Sequence, residues 1–117
     1  MKQYDLVELE QNTPDWITLR KTHIGSSDAS VLWGNPWRSP YKLWQEKLGL
    51  AEGEPENPAM KRGRELEKLA RSSYQLLNDT IVEPVVIKSK LNNFAIASLD
   101  GLSLDESLSV EIKCGEK

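Results

Sequence analysis

The sequence predicts an α/β domain (α+β by strict layer counting) with N-terminal helices, one long helix and a three-stranded, mostly antiparallel sheet. Three observations predict this class. Capped helix starts recur in the first half of the chain, an amphipathic stretch runs from Asn57-Pro58 to Leu77, and β-branched residues dominate after Asn78. At 117 residues the chain has room for a single domain, residues 1–117, with its own hydrophobic core.

Three short helices are predicted in the first half of the chain, each from a capping residue at its start. They cover residues 16–20, 28–33 and 41–48, and their predicted caps are Thr13, then Ser26 or Ser27, then Ser39. Gly34 and Gly49 are predicted to end the second and third of them. The aromatic side chains Trp33, Trp37 and Trp44 are predicted to pack these helices together rather than to stack on nucleic-acid bases.

The fourth helix is the long one, from Asn57-Pro58 to about Leu77 with Asn78 as its last residue. Apolar residues recur along it at helical spacing and predict one buried stripe. The stripe consists of Met60, Leu66, Leu69, Ala70, Tyr74 and Leu77.

Three strands are predicted after the long helix, over residues 80–88, 94–99 and 108–114. The first is rich in β-branched residues, and Pro84 within it indicates a bulge or a sheet edge. The third alternates apolar and polar residues, which is typical of a half-buried strand.

Composition limits the class of protein. The net charge of −3 excludes a broadly basic nucleic-acid binder but leaves room for a local basic groove. There is no apolar run of the ~20 residues that a membrane span needs, so no membrane partner is expected. A single cysteine cannot form an internal disulfide, which favours a cytosolic protein.

The strongest chemical signal is Asp100 at the end of the second strand, followed by Glu111 and Lys113 in the third. Residues two apart in a strand face the same side, and a hairpin through residues 102–109 can bring Asp100 beside Glu111. Two carboxylates and the backbone carbonyl of Ile112 suit a hard divalent cation, and an ammonium alongside suits an attacking water and a phosphate. The alternative is an exposed strand face with an ordinary Glu–Lys pair.

Two further groups of residues are candidates for a functional site. On the long helix Gly63, Glu67 and Arg71 share one face, which is either a solvated helix surface or part of a site. Near the N-terminus, Arg20 at a helix end and Ser26 or Ser27 at a helix start can together hold a phosphate. The alternative there is a plain serine cap and a surface arginine.

Taken together in order, these segments resemble the YqaJ-type viral recombinase family, the phage lambda exonuclease-like branch of the PD-(D/E)XK nucleases. The matching segments are Trp16 with Arg20, IGSSDASVLWGNPWRSPYKLW, ENPAMKRGRELEKLAR, ASLDG and VEIKC. The resemblance implies a partial restriction-endonuclease-like core and a nuclease triad of Asp100, Glu111 and Lys113. It further implies that Glu67 supports the metal site through water, and that Arg20 and Ser27 contact the 5′-phosphate end of DNA.

The resemblance also implies cofactor, partners and location. It predicts a Mg²⁺-dependent DNA exonuclease, with Mn²⁺ as a substitute, that processes duplex ends in phage-type recombination. It predicts a phage or prophage protein in the cytoplasm of a bacterial host, with a single-strand annealing protein as a partner. Ser98-Leu99 stands before Asp100 where the family usually has a proline-like start to its motif.

Family members continue beyond the E-x-K strand, so the chain is expected to be the N-terminal part of such a nuclease domain. An open edge on the third strand would pair with another chain, which predicts a homo-oligomer. Two alternatives to the exonuclease follow: a catalytically incompetent remnant that acts as a DNA-binding or interaction module, and an endonuclease of the same superfamily.

Overall fold

The computed structural model describes residues 2–34, 36–52 and 56–114. In chain order the elements are β1 (Tyr4–Val7), α1 (Pro14–Lys21), β2 (Ile24–Gly25), α2 (Ala29–Trp33), α3 (Pro40–Lys47), α4 (Pro58–Asn78), β3 (Val82–Ser89), β4 (Ala95–Ser103) and β5 (Ser109–Val110). A 3₁₀ turn, Ser26–Asp28, leads into α2. Among residues 2–34, 36–52 and 56–114, no helix is long and apolar enough to cross a membrane.

Contacts within the chain divide it into two units. The first consists of Met1–Gly53 and Val86–Ser98, and the second of Glu54–Val85 and Leu99–Lys117. The described strands follow the order β1-β3-β4-β2, with β5 also paired to β4.

In the first unit, β1 pairs antiparallel with the end of β3, from Tyr4 opposite Ser89 to Val7 opposite Val86. The short strand β2 pairs in parallel with the start of β4, where Ile24 lies opposite Ala95. The core of this unit contains Val31, Leu43, Val86 and Ile96. Neither β1 nor β2 was predicted from the sequence, because each is short and depends on a distant partner strand for its hydrogen bonds.

The predicted helix starts are confirmed at α1, α3 and α4. The side chains of Thr13, Ser39 and Asn57 each accept a backbone N–H of the first turn, and proline follows each of them. The start of α2 differs from the prediction, because the 3₁₀ turn takes up Ser26 and Ser27 and leaves Asp28 at the N-cap position.

The predicted packing of the tryptophans is wrong. Trp33 and Trp37 are 93% and 91% exposed, and half of Trp44 is exposed, although its ring stacks on that of Tyr41. The small helices are instead held by aliphatic side chains, since Val31 and Leu43 are the buried residues of α2 and α3.

The predicted buried stripe of α4 is wrong as well. Among its described residues none is fully buried, and Leu69 and Leu77 are mostly exposed. The half-buried face carries Gly63, Glu67, Ala70, Arg71, Tyr74 and Gln75. Polar contacts set this rotation of the helix, because Gln75 accepts the N–H of Val82 and Arg71 donates to the carbonyl of Asp100.

The third predicted strand is much shorter than expected. Only two pairs are formed with β4 in the described chain, Gly101 with Val110 and Leu102 with Ser109. Beyond Val110 the backbone leaves the strand ladder, because the N–H of Ile112 donates to the carboxylate of Asp100 (2.8 Å).

Gly101 lies where β4 packs tightly against β3, and we expect Gly101→Ala to destabilise the fold. A Cβ at this position would lie 2.9 Å from Cγ2 of Val82, a side chain that is buried and β-branched. The expected loss in the free energy of unfolding is about 1–3 kcal/mol, measured by urea denaturation.

Gly63→Ala is the matched control for this substitution. Apart from its chain neighbours and the backbone of its own helix, no described atom lies within 4 Å of the position that its Cβ would take, so alanine should stabilise the helix by up to about 1 kcal/mol. A Gly101→Ala variant as stable as the wild type would contradict the packing described for Val82.

Candidate functional site

Asp100 lies in β4, and its side chain organises the segment that follows β5. Its Oδ2 atom accepts the backbone N–H of Ile112 at 2.8 Å. The hairpin was predicted to bring Asp100 beside Glu111, and the contact that the structure shows is with the backbone of the next residue, Ile112. The residues flanking Ile112 are Glu111 and Lys113, so the Asp100 carboxylate fixes the chain on which they are carried.

The turn between β4 and β5 is closed by Asp105. Its Oδ1 atom accepts the hydroxyl of Ser103 (2.8 Å) and both the N–H and the hydroxyl of Ser107 (3.0 and 2.7 Å). These hydrogen bonds, those from Ser107 first, lower the pKa of Asp105 to about 2 because they stabilise the carboxylate. The turn is therefore ordered by its own side chains.

Glu67 projects from the half-buried face of α4 toward Asp100. Burial raises the pKa of Glu67, and the hydrogen bond and negative charge of Asp100 raise it further. Arg71 lowers it in part through an ion pair whose Nη2–Oε2 distance is 3.2 Å. The carboxyl groups of Glu67 on α4 and Asp100 on β4 therefore lie close together, and Arg71 pairs with Glu67 beside them.

Arg71 makes a second contact that the sequence did not indicate. Its Nε atom donates to the backbone carbonyl of Asp100 at 2.8 Å. One guanidinium therefore holds both the side chain of Glu67 and the main chain of Asp100. The spacing of four residues predicted that Arg71 and Glu67 share a helix face, but no local signal pointed to the strand carbonyl.

Glu111 and Lys113 form an ion pair in the extended segment after β5. Nζ of Lys113 lies 3.0 Å from Oε1 of Glu111, and the two side chains are 82% and 74% exposed. They project to the same side, as the alternation predicted, while Ile112 and Cys114 are half-buried. The hydrogen bond and charge of Glu111 raise the pKa of Lys113, so its amine stays protonated.

The structure therefore brings the predicted residues of the second unit together in two pairs, Glu67 with Asp100 and Glu111 with Lys113. Within residues 2–34, 36–52 and 56–114, no group of three acidic, histidine or cysteine side chains is arranged to hold a metal. The contact shown for Ile112 is made by its N–H, and its carbonyl as a ligand stays a prediction.

The chemistry of this donor set suits a hard divalent cation. All the candidate ligands are oxygens, which Mg²⁺ prefers. Burial, and then the neighbouring Asp100 carboxylate, raise the pKa of Glu67, and a cation bound beside it would favour the charged form of this carboxyl.

Arg20 and Ser27 belong to the first unit. The guanidinium of Arg20 lies 4.5 Å above the ring of Trp16, whose Nε1 donates to the hydroxyl of Ser98 at 3.0 Å. Ser27 is exposed in the 3₁₀ turn before α2. The cation–π contact orients Arg20 through the face of its guanidinium and does not use its N–H donors.

Two residues near Arg20 and Ser27 were missed by the sequence analysis. Asp28 and Lys47 form an ion pair of 2.9 Å with both side chains largely buried. Nothing in the 19 positions that separate them in the sequence predicts this contact, because it depends on how α3 packs.

A family model described as the YqaJ-like viral recombinase domain matches residues 15–117. The protein YqaJ of Bacillus subtilis (strain 168) is 28% identical over 108 residues, which are 89% of this chain and 34% of YqaJ. Protein D345L of African swine fever virus (strain Badajoz 1971 Vero-adapted) is 32% identical over 74 residues, 62% of this chain and 21% of D345L.

Among solved structures, the crystal structure of LHK-Exo in complex with dAMP matches with a TM-score of 0.71 and 33% identity. The match covers 87% of this chain and 53% of that chain. This likeness confirms the predicted mixed class of helices and sheet. The chain spans about a third of the length of YqaJ and about half that of LHK-Exo.

Proposed function

Because the chain belongs to the YqaJ-like viral recombinase family, we propose that it is a Mg²⁺-dependent deoxyribonuclease that processes double-strand DNA ends by exonucleolytic cleavage in phage-type recombination. The observation that carries this proposal is that Arg71 binds both the side chain of Glu67 and the main chain of Asp100, two residues that the sequence resemblance assigns to the nuclease site. The dAMP bound to LHK-Exo is a deoxynucleotide, which agrees with a DNA substrate.

In this proposal Asp100, Glu111 and the carbonyl of Ile112 hold the cation directly, and Glu67 supports it through water. When bound, Mg²⁺ or Mn²⁺ supplies Lewis acidity and lowers the pKa of a coordinated water. Arg71 keeps Glu67 and the strand at Asp100 in place. Lys113, protonated beside Glu111, orients the attacking water and offsets charge that develops on the phosphate.

DNA contacts in this proposal come from two groups of residues. Arg20 and Ser27 bind the 5′-phosphate, because a guanidinium and a hydroxyl both donate to phosphate oxygens. Lys61, Arg64 and Lys68 are exposed on α4 and attract the DNA backbone despite the net charge of −3. A homo-oligomer and a single-strand annealing partner belong to the same proposal.

The test is degradation of linear duplex DNA with Mg²⁺, compared with closed circular duplex of the same sequence. Wild-type chain should digest the linear DNA and leave the circle intact, and Asp100→Asn should remove digestion. Glu65→Gln is the control, since Glu65 is an exposed acid on α4 two residues from Glu67.

The other outcomes separate the alternatives. Cleavage of the closed circle would favour the endonuclease. A wild-type chain that binds duplex DNA but does not cut it at any Mg²⁺ or Mn²⁺ concentration would favour the catalytically incompetent binding module.

A further inference from the structure

Lys47 lies at the end of α3 and connects two other segments of the first unit. Its ammonium is 2.9 Å from Oδ2 of Asp28 and also donates to the backbone carbonyl of Arg20. The carbonyl of Arg20 is in the last turn of α1, where carbonyls lack partners within the helix. Lys47 therefore caps α1 at the residue that is proposed to bind the 5′-phosphate.

Asp28 fixes the other proposed phosphate-binding residue. The same Oδ2 atom that meets Lys47 accepts the backbone N–H of Gly25 at 2.9 Å. This bond closes the turn from Gly25 to Asp28, and Ser27 lies inside it. The backbone positions of Arg20 and Ser27 are thus linked through one ammonium and one carboxylate.

The burial of this pair favours a positioning role. The side chains of Asp28 and Lys47 are 4% and 16% exposed. Removing two charges from water costs free energy, and the attraction between them need not recover that cost. A buried ion pair is therefore poor evidence that the pair serves only to stabilise the fold. Its partners here are the main chain of Arg20 and the turn that carries Ser27.

We propose that Asp28 and Lys47 are positioning residues. They hold Arg20 and Ser27 at the places from which both can bind a terminal 5′-phosphate. The inference rests on the proposed phosphate-binding role of Arg20 and Ser27. Lys47 is not expected to touch the phosphate itself, because its ammonium is already used by Asp28 and by the carbonyl of Arg20.

The test is the ratio of two dissociation constants, for a short blunt duplex with 5′-hydroxyl ends and for the same duplex with 5′-phosphate ends. EDTA is present so that metal-dependent cleavage does not compete. Wild-type chain should prefer the phosphorylated duplex about tenfold, as expected for one charge-assisted bidentate contact. The double variant Asp28→Asn/Lys47→Met leaves no buried charge unpaired and should reduce the ratio to near one.

Two single variants complete the design. Lys47→Arg keeps a cation against Asp28 and should retain the preference, while Lys42→Met removes an exposed lysine of the same helix and should leave the ratio unchanged. If the role of Asp28 and Lys47 were purely structural, the double variant would have a lower melting temperature and would bind both duplexes more weakly by the same factor. The ratio of the two dissociation constants would then not change.

The proposal fails if the folded double variant, judged by circular dichroism, keeps the wild-type ratio. Equal binding of both duplexes by the wild-type chain would also overturn it, by removing the phosphate role of Arg20 and Ser27. That second result would leave the proposed metal-dependent cleavage untested by it, since cleavage of linear duplex is assayed separately and can succeed without a 5′-phosphate preference.

Discussion

Lys113→Ala should abolish DNA hydrolysis while leaving metal binding largely unchanged. The ammonium acts on water and phosphate in the proposed mechanism, whereas Asp100 and Glu111 hold the cation. Loss of one preorganised charge at a reacting centre costs at least about a hundredfold in rate. We expect single-turnover degradation of linear duplex to fall by that factor or more, and calorimetric titration with Mn²⁺ to give a similar affinity.

Lys61→Ala is the control for a general loss of positive charge, because Lys61 is exposed on α4 and is proposed to attract the DNA backbone but not to act on the cation or the water. It should weaken DNA binding modestly and leave the rate at saturating DNA unchanged. Equal cleavage by wild type and Lys113→Ala would show that the assignment of Lys113 is wrong.

Arg71→Met should strongly destabilise the second unit. It removes the counter-ion of Glu67 and the donor to the carbonyl of Asp100, and it leaves two carboxyl groups facing each other. Breaking a largely buried charge contact together with a hydrogen bond costs about 2–3 kcal/mol in the free energy of unfolding. Urea denaturation without metal measures this loss.

A second substitution tests the cause of that loss. Glu67→Gln in the Arg71→Met background removes the uncompensated charge and should recover part of the stability. Arg64→Met is the matched control on the same helix, since its ion pair with Glu56 is exposed and should contribute less than about 1 kcal/mol. If Arg71→Met proved no more destabilising than Arg64→Met, the link between α4 and β4 would be unimportant.

The parts of the fold that were predictable from the sequence are those that local chemistry determines. Helix starts at Thr13, Ser39 and Asn57 were correct because a cap and the following proline act within one turn. The rotation of α4 was not predictable from its apolar residues, because Arg71 and Gln75 bind strand groups far away in the sequence.

The contacts of the candidate site also fall into those that local spacing predicts and those that it does not. The shared side of Glu111 and Lys113 followed from alternation along an extended chain, and their ion pair agrees with it. The contact of Ile112 with Asp100 and the pair of Asp28 with Lys47 are non-local, so no spacing rule indicated them. The residues alone indicated a cation at Asp100 and Glu111 and a phosphate at Arg20 with Ser26 or Ser27, each beside a plain structural alternative. The metal-supporting role of Glu67 came from the family resemblance.

The placement of the tryptophans makes their fluorescence a signal of the first unit. All four lie within the first 44 residues and so belong to the first unit, and Trp33 and Trp37 stand in solvent. Indole emission therefore follows the first unit, whereas far-ultraviolet ellipticity is weighted toward α4, the 21-residue helix of the second. Coincident transitions in the two signals would mean that both units unfold as one cooperative body, and separated transitions would give each unit its own stability.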